Sequence, residues 1–416
     1  MKSKRICRIL RKGIATFVSC VMLLSLLCSC ASESDDTDNY SSVDRDDIII
    51  MQRNSVYENV NNHGEFYSNG IGSLRYFDFM SMVSAPICSK PNCTHTDENE
   101  CTSFGLDNHP TLIDDKIYYF TYELTYGDDN KPKYVTYLNH ANVDGSGRVQ
   151  VSSIDGIMVW KPNDAYIYDN VIYFTADKMT LDESTMMFDS STKCICSCDY
   201  STGKFEIYEE YDKGYSPNIF IQGYYKDKIY FIFSYYDEED PYINLPFEEY
   251  DKVIAEAYEW GNEHSVTEVY TLDINTKEIA LSDLTNKMSI DTGIVARDGY
   301  LIYDDDEGMH AIDYNGNETV IPGESITGLG TIIVNDTLIQ KSVNKAYNLK
   351  TGEVYGLRFP DTLSENEIIG LSLKDYIKDE GSEYGEYVFG YSVTVDGLLD
   401  YTYIRIPENE LIVPNE

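Results

Sequence analysis

The sequence predicts an all-β protein: a β-propeller of about seven blades, with six and eight as the alternatives, carrying one short helical insertion. Two recurring signatures and the composition of the strands between them point there. The first signature is a turn leading into an apolar and aromatic strand: DDKIYYF from Asp114, DNVIYF from Asp169, KDKIYF from Lys226, DGYLIY from Asp298 and NDTLIQ from Asn335. The second is an Asp or Asn entering a polar turn and a further strand: NVDGSGRV from Asn142, DYSTGKFEI from Asp199, DINTKEI from Asp273, DYNGNETV from Asp313 and NLKTGEV from Asn348. The two keep the same order five times. Asp, Asn and Gly tolerate the left-handed conformations of tight hairpins, and Tyr, Ile, Val and Phe suit a pleated, partly buried surface. A period of roughly 35 to 75 residues, with strands and no alternating helices, fits blades rather than βαβ units. GSLRYFDFMSMVSAPICS before the five and EYVFGYSVTVDGLLDYTYIRIP after them read as two degenerate units, which gives the count of seven. DDIIIM, from Asp46, is expected to supply an outer strand that closes the ring against the last blade.

The chain opens on a different pattern. MKSKRICRILRKG carries six basic residues and no acid, and IATFVSCVMLLSLL is an apolar run of fourteen, so residues 1–29 read as an export signal rather than a spanning helix. LCSC, with Leu27 at minus three and Ser29 at minus one, resembles the lipobox of bacterial lipoproteins. That resemblance implies cleavage before Cys30 and lipidation of its sulfur; Cys28 fits less well, since Leu27 would stand where a small residue is wanted. An ordinary secreted protein is the alternative. Residues 30–46 form the lipidated cysteine and a polar tether too poor in apolar residues to fold, and 47–416 the propeller. The expected location is the extracellular face of the cell membrane, held by lipid, because two acyl chains anchor durably where one does not.

Charge narrows the partners. The formal net charge is −39, and loss of the basic leader makes the mature chain more acidic still. Such a surface repels phosphate backbones, so nucleic acid is excluded as a partner, and basic patches for anionic lipid are missing.

CSKPNCTHTDENEC packs Cys88, Cys93, His95 and Cys101 into the connection after the first unit. Three thiolates and one imidazole match the donor set of a closed structural zinc site, and a fourth donor accounts for the odd thiol. A disulfide with a spare thiol and a mere turn are the alternatives, since an exported protein meets oxidant. If zinc is right, the four ligating atoms converge within about 4 Å and the His95 ring faces the sulfurs. KCICSC places Cys194, Cys196 and Cys198 at alternate positions of a strand, on one face. They read as small buried hydrophobes, with pairing to Cys88 or Cys101 as the alternative.

A first unit ending in C-x4-C-x-H, followed by repeated D-x-I-Y-Y/F strands behind a lipobox, resembles the clostridial (Firmicute) cell-surface propeller lipoproteins, whose function is generally unassigned. The resemblance implies a propeller at a cell surface and brings no catalytic residues.

Between IYFIFSYY and EVYTLDINTKEI, Phe247, Tyr250, Ile254, Ala257 and Tyr258 recur at helical spacing, which predicts a short amphipathic helix over Pro246–Trp260. It is expected to bury its stripe against its own blade, with a lid or docking element as the other reading. No G-x-S-x-G, phosphate loop or H-E-x-x-H is present, and His63, His95, His109, His140, His264 and His310 sit in no recognisable base constellation. DDDEG, from Asp304, reads as a solvated turn. The functional expectation is a binding or scaffold module for a protein or glycan, with the absence of a catalytic motif weighing against an enzyme without excluding one. The alternative is a carbohydrate-active lyase or hydrolase working in the central channel.

Overall fold

The computed structural model describes residues 48–50, 59–61, 64–68, 72–78, 81–96, 100–106, 110–113, 115–127, 131–159, 165–185, 187–243, 245–287, 293–326, 331–334, 336–340, 343–360, 372–377, 385–395 and 398–414. The export signal, Cys30 and the tether lie outside them. The chain divides into Met1–Arg45 and Asp46–Glu416, and every described strand belongs to the second unit. No helix among the described residues is long and apolar enough to cross a membrane.

The second unit is all-β and propeller-like, a succession of antiparallel sheets. After β1 (Ile48–Ile50), the first sheet orders β2 (Asn59–Asn61), β3 (Gly64–Ser68), β4 (Leu74–Asp78) and β5 (Val83–Pro86). The next orders β6 (Thr111–Ile113), β7 (Lys116–Tyr126), β8 (Pro132–Asn142) and β9 (Val149–Asp155). A third holds β11 (Tyr166–Tyr168), β12 (Val171–Asp182), β13 (Met187–Asp199) and β14 (Lys204–Tyr211), with β10 (Ile157–Met158) paired to β12. An eight-stranded sheet joins two meanders: β15 (Tyr215–Tyr225), β16 (Lys228–Tyr236), β17 (Ser265–Asp273) and β18 (Ile279–Leu281), then β19 (Val295–Arg297), β20 (Tyr300–Asp305), β21 (Gly308–Asp313) and β22 (Glu318–Pro322). The meanders meet through a single parallel pair, Gly223 with Ala296. Then come β23 (Thr331–Val334), β24 (Thr337–Gln340), β25 (Lys345–Asn348) and β26 (Val354–Leu357), and the three-stranded β27 (Ser372–Ile377), β28 (Glu386–Val395) and β29 (Leu398–Pro407). Finally β30 (Ile412–Pro414) returns to the outer edge of β26.

The core is serial, because each meander is apolar on both faces and shares one cluster with each neighbour. Phe66 and Leu74 meet Ile117 and Tyr119; Phe120 and Leu138 meet Phe174 and Cys196; Tyr173 and Ile195 meet Phe231 and Phe233. Tyr230 and Val269 then meet Ala296 and Leu301, Ile302 and Met309 meet Leu338 and Tyr347, and Ile339 and Ala346 meet Tyr387 and Ile406. A sheet packed on both faces needs its neighbours, so the repeats stand together.

Both signatures are turns on the same edge of their meanders. The first joins strands one and two with left-handed residues, as Asp169 and Asn170, Lys226 and Asp227, and Asp298 and Gly299 have φ between 44° and 80°. Two successive left-handed residues match the twist of a hairpin. The second joins strands three and four, where a side-chain oxygen caps the turn: Asp199 accepts from the Ser201 amide, Asp273 from Asn275 and Asn348 from Lys350. The two turns bond one another, Tyr200 N–H to the Asn170 carbonyl, Ile274 to Asp227 and Leu349 to Asp336. Their fixed order is therefore a fixed contact.

Two expectations change. Ile48–Ile50 pairs with Tyr166–Tyr168 of β11, not with the last sheet; three isoleucines complete any apolar strand edge, so their composition names no address. The predicted insertion is helix α1 (Phe247–His264), four residues longer at its C-terminal end, where Ser265 begins β17 directly. Among Lys252–His264 no residue is buried, and Ile254 and Tyr258 are 41% and 68% exposed, so this part of the stripe is not buried on its own sheet, while the side chains of Phe247 and Tyr250 lie outside the described residues. Its C-terminal end is held: Trp260 packs on Tyr236 and stacks on His264, whose Nδ1 lies 2.8 Å from Asp237 Oδ1.

Candidate metal centre

Cys88, Cys93, His95 and Cys101 come together in one group, with a donor atom of each within 4.8 Å of all the others. The local chain explains the convergence. Cys93 N–H donates to the Lys90 carbonyl across the turn KPNC, and Asn92 and His95 take left-handed φ values of 61° and 57° that reverse the chain twice. These reversals swing His95 Nδ1 to 3.4 Å from Cys101 Sγ, so the ring faces the sulfurs as a ligand must. A zinc shell with bonds of roughly 2.0 to 2.3 Å holds its donors no more than about 4 Å apart, so the four stand slightly wider than a loaded shell.

The loop is bolted down on both sides. Toward the first sheet, Leu74 N–H donates to the Ser103 carbonyl at 2.8 Å and the Ser73 and Ser103 hydroxyls meet at 2.8 Å. Toward the β8–β9 turn, the Arg148 guanidinium donates to the Thr102 carbonyl at 2.9 Å and to that of Phe104, while Ser89 donates to Asp144. Gly145 is obligatory there: a Cβ would lie 2.1 Å from the Thr102 carbonyl oxygen. Sequence reading missed Arg148 and Asp144, although both stand inside the NVDGSGRV turn.

The thiols are electrically unlike. Burial raises Cys88, but hydrogen bonds from Thr102, from the Lys90 backbone and from Cys101 outweigh it and bring the thiol down to about 6. The His95 backbone lowers Cys93, yet partial burial and the thiols of Cys101 and Cys88 carry it upward on balance. Soft sulfur donors with one imidazole select zinc-like ions over calcium or magnesium, so this group can hold a metal.

Cys194, Cys196 and Cys198 are elsewhere, fully buried between the second and third sheets and free. Burial lifts Cys198 to about 12, and the Cys194 hydrogen bond with burial lifts Cys196 well above a normal thiol. All three serve as core, without pairing to Cys88 or Cys101.

His310 forms a constellation that spacing did not reveal. Its Nδ1 lies 2.8 Å from Glu318 Oε1 and its Nε2 2.8 Å from Asp305 Oδ1, with Tyr303 stacked at 4.9 Å. Burial lowers the imidazole, but the two carboxylates more than reverse this and raise it. With both nitrogens engaged, it is a cross-tie over β20, β21 and β22 rather than a base. Strand register brings these residues together across two turns, which no linear motif records.

Asp304 in DDDEG is not solvated. It is 1% exposed, Oδ2 accepts from Ile326 N–H at 2.7 Å, and Oδ1 has no hydrogen-bond partner among the described residues. Burial raises the carboxyl to about 6, against the Ile326 amide and His310, which lower it. A folded value above the unfolded one of about 3.9 means stability is fully present below pH ~4 and lost as pH rises to about 6. Asp304→Asn is therefore expected to unfold at the wild-type temperature near pH 4 and at a higher one at pH 7, by scanning calorimetry across that range. A difference that does not vary with pH contradicts the assignment.

No family model matches the chain, and no curated protein matches it. Among solved structures, it is similar to an ulvan lyase of a polysaccharide lyase family at 10% identity and TM-score 0.40, over 86% of this chain and 94% of that one. It is also similar to Porphyromonas gingivalis dipeptidyl peptidase 4 at 8% identity and TM-score 0.39, over 87% and 53%, and to an oligogalacturonate lyase in complex with manganese at 7% and 0.35, over 73% and 72%. At these scores none of them bears on activity.

Proposed function

We propose that the protein is a lipid-anchored β-propeller of seven blades on the outer face of a bacterial cell membrane, in the manner of the clostridial lipoproteins it resembles. It acts as a binding or scaffold module for a protein or glycan, with structural zinc on Cys88, Cys93, His95 and Cys101. The count of seven takes the two meanders of the eight-stranded sheet as separate blades. One observation carries the binding reading. Three consecutive meanders lengthen the connection between their second and third strands, and all three connections lie on the edge away from the signature turns. β7–β8 and β12–β13 run on as long hairpins that touch through Tyr134 and Phe188, ring centroids 4.6 Å apart, and β16–β17 carries α1. Exposed apolar side chains gather on these extensions: Tyr122, Leu124 and Tyr126 on β7, Met187 on β13, Ile254 and Tyr258 on α1. Tyrosine offers amphipathic contact at low entropic cost, so such an edge suits recognition. The Cys/His loop packs on the opposite edge, and four protein donors leave no open position for a substrate, which fits a structural metal.

Whole cells test both halves. Wild-type protein is expected in the membrane fraction and Cys30→Ala in the medium. A photo-crosslinking side chain at position 126 or 187 is expected to capture one discrete partner, and the same side chain at position 201, on the signature edge, none. Equal capture at both edges contradicts the recognition edge, and retention of Cys30→Ala contradicts the anchor.

A further inference from the structure

We infer that α1 with its approach segment is a docking surface for one kind of partner, an amphipathic cationic protein helix. This rests on the reading of the extended edge as the recognition edge. Ile254 and Tyr258 stand one turn apart on an 18-residue helix whose described C-terminal half is fastened by Trp260 against Tyr236 and by His264 against Asp237, and Ile243 in the approach segment is 57% exposed. A helix of that length spans about 27 Å, ample for three turns of a partner. An exposed i, i+4 apolar pair is the register in which one helix lays its face on another.

Charge identifies the occupant. Between Asp237 and Glu263 the chain places ten carboxylates and a single lysine, Lys252. A second copy would set two such segments against each other, so self-association through α1 is opposed by like charge. Anionic lipid, anionic glycan and nucleic acid are repelled for the same reason. A partner that presents Leu- or Ile-like side chains on one face and Lys or Arg around them satisfies both the apolar pair and the acidic rim, and the rim steers its approach. The aliphatic Ile254 and Ile243 favour a protein face over a neutral sugar, which binds by stacking on rings.

The test uses the folded chain and two fluorescent peptides of identical Leu and Lys composition. One is ordered so that leucines line a single helical face, the other scrambled. The ordered peptide is expected to bind, with anisotropy rising saturably, and Ile254→Ser with Tyr258→Ser to weaken it at least ~tenfold, as loss of two buried apolar contacts implies. Glu256→Lys with Glu259→Lys is expected to weaken both peptides. Equal binding of ordered and scrambled peptides, unaffected by the serine pair, reduces the surface to bulk charge and overturns the inference. So does dimerisation in sedimentation that the serine pair abolishes, since the occupant is then a second copy. Crosslinking at positions 126 and 187 does not involve α1; capture there with no ordered-peptide binding removes the α1 assignment alone, whereas failure of both removes the recognition edge.

Discussion

Cys101→Ser is expected to lose the metal and to destabilise the fold by about 3 kcal/mol or more, since structural zinc sites supply folding free energy directly. Cys101 is the keystone of its group: it is buried, touches His95 and bonds the Ser103 hydroxyl at 2.8 Å, and Ser103 in turn holds Leu74 and Ser73 of the first sheet. Loss of the Cys101 sulfur therefore weakens the loop's hold on the sheet and removes one of the four donors. Chelation is expected to bring wild type down to the melting temperature of the variant and to leave the variant unchanged. Cys196→Ser, equally buried but remote, controls for the substitution itself and is expected to keep the metal. Equal metal content in wild type and Cys101→Ser would contradict the assignment.

Gly223→Ala is expected to destabilise by roughly 3 kcal/mol or more, for a reason that is pure geometry. Gly223 has φ of 140°, and a Cβ on it would lie 1.7 Å from the Ala296 carbonyl oxygen. That contact is the only ladder pair between β15 and β19, so a side chain there pries two meanders apart. Gly323→Ala is the comparison: φ is 73°, but nothing lies within 4 Å, and the expected loss is about 1 kcal/mol. Thermal unfolding and limited proteolysis between β18 and β19 measure the difference. Indistinguishable melting of the two variants would mean the close approach is not real.

Much of this architecture was legible because turns are local. Asp169, Asn170, Asp227 and Asp273 declare their hairpins through chemistry that acts within four residues, and the repeat emerges from counting them. The Cys/His group was legible for the same reason, its four donors lying within fourteen residues. The features that escaped depend on register between strands. The His310 tie needs Asp305 and Glu318 across two turns, and the burial of Asp304 needs Ile326 from a later loop. The address of Ile48–Ile50 could not be read because edge pairing is satisfied by any backbone. Helix α1 was visible by its period, but an apolar stripe says only that something should cover it, and its own sheet leaves Ile254 and Tyr258 exposed.

Metal analysis of protein purified without oxidant or chelator, with thiols counted before and after chelation under native conditions, tests the metal centre most directly. The expected result is one zinc per chain and three thiols, those of Cys88, Cys93 and Cys101, becoming reactive when the metal is withdrawn. Protein free of metal, with Cys101 crosslinked to Cys88 or Cys93 in a peptide map, would replace the centre with a disulfide staple.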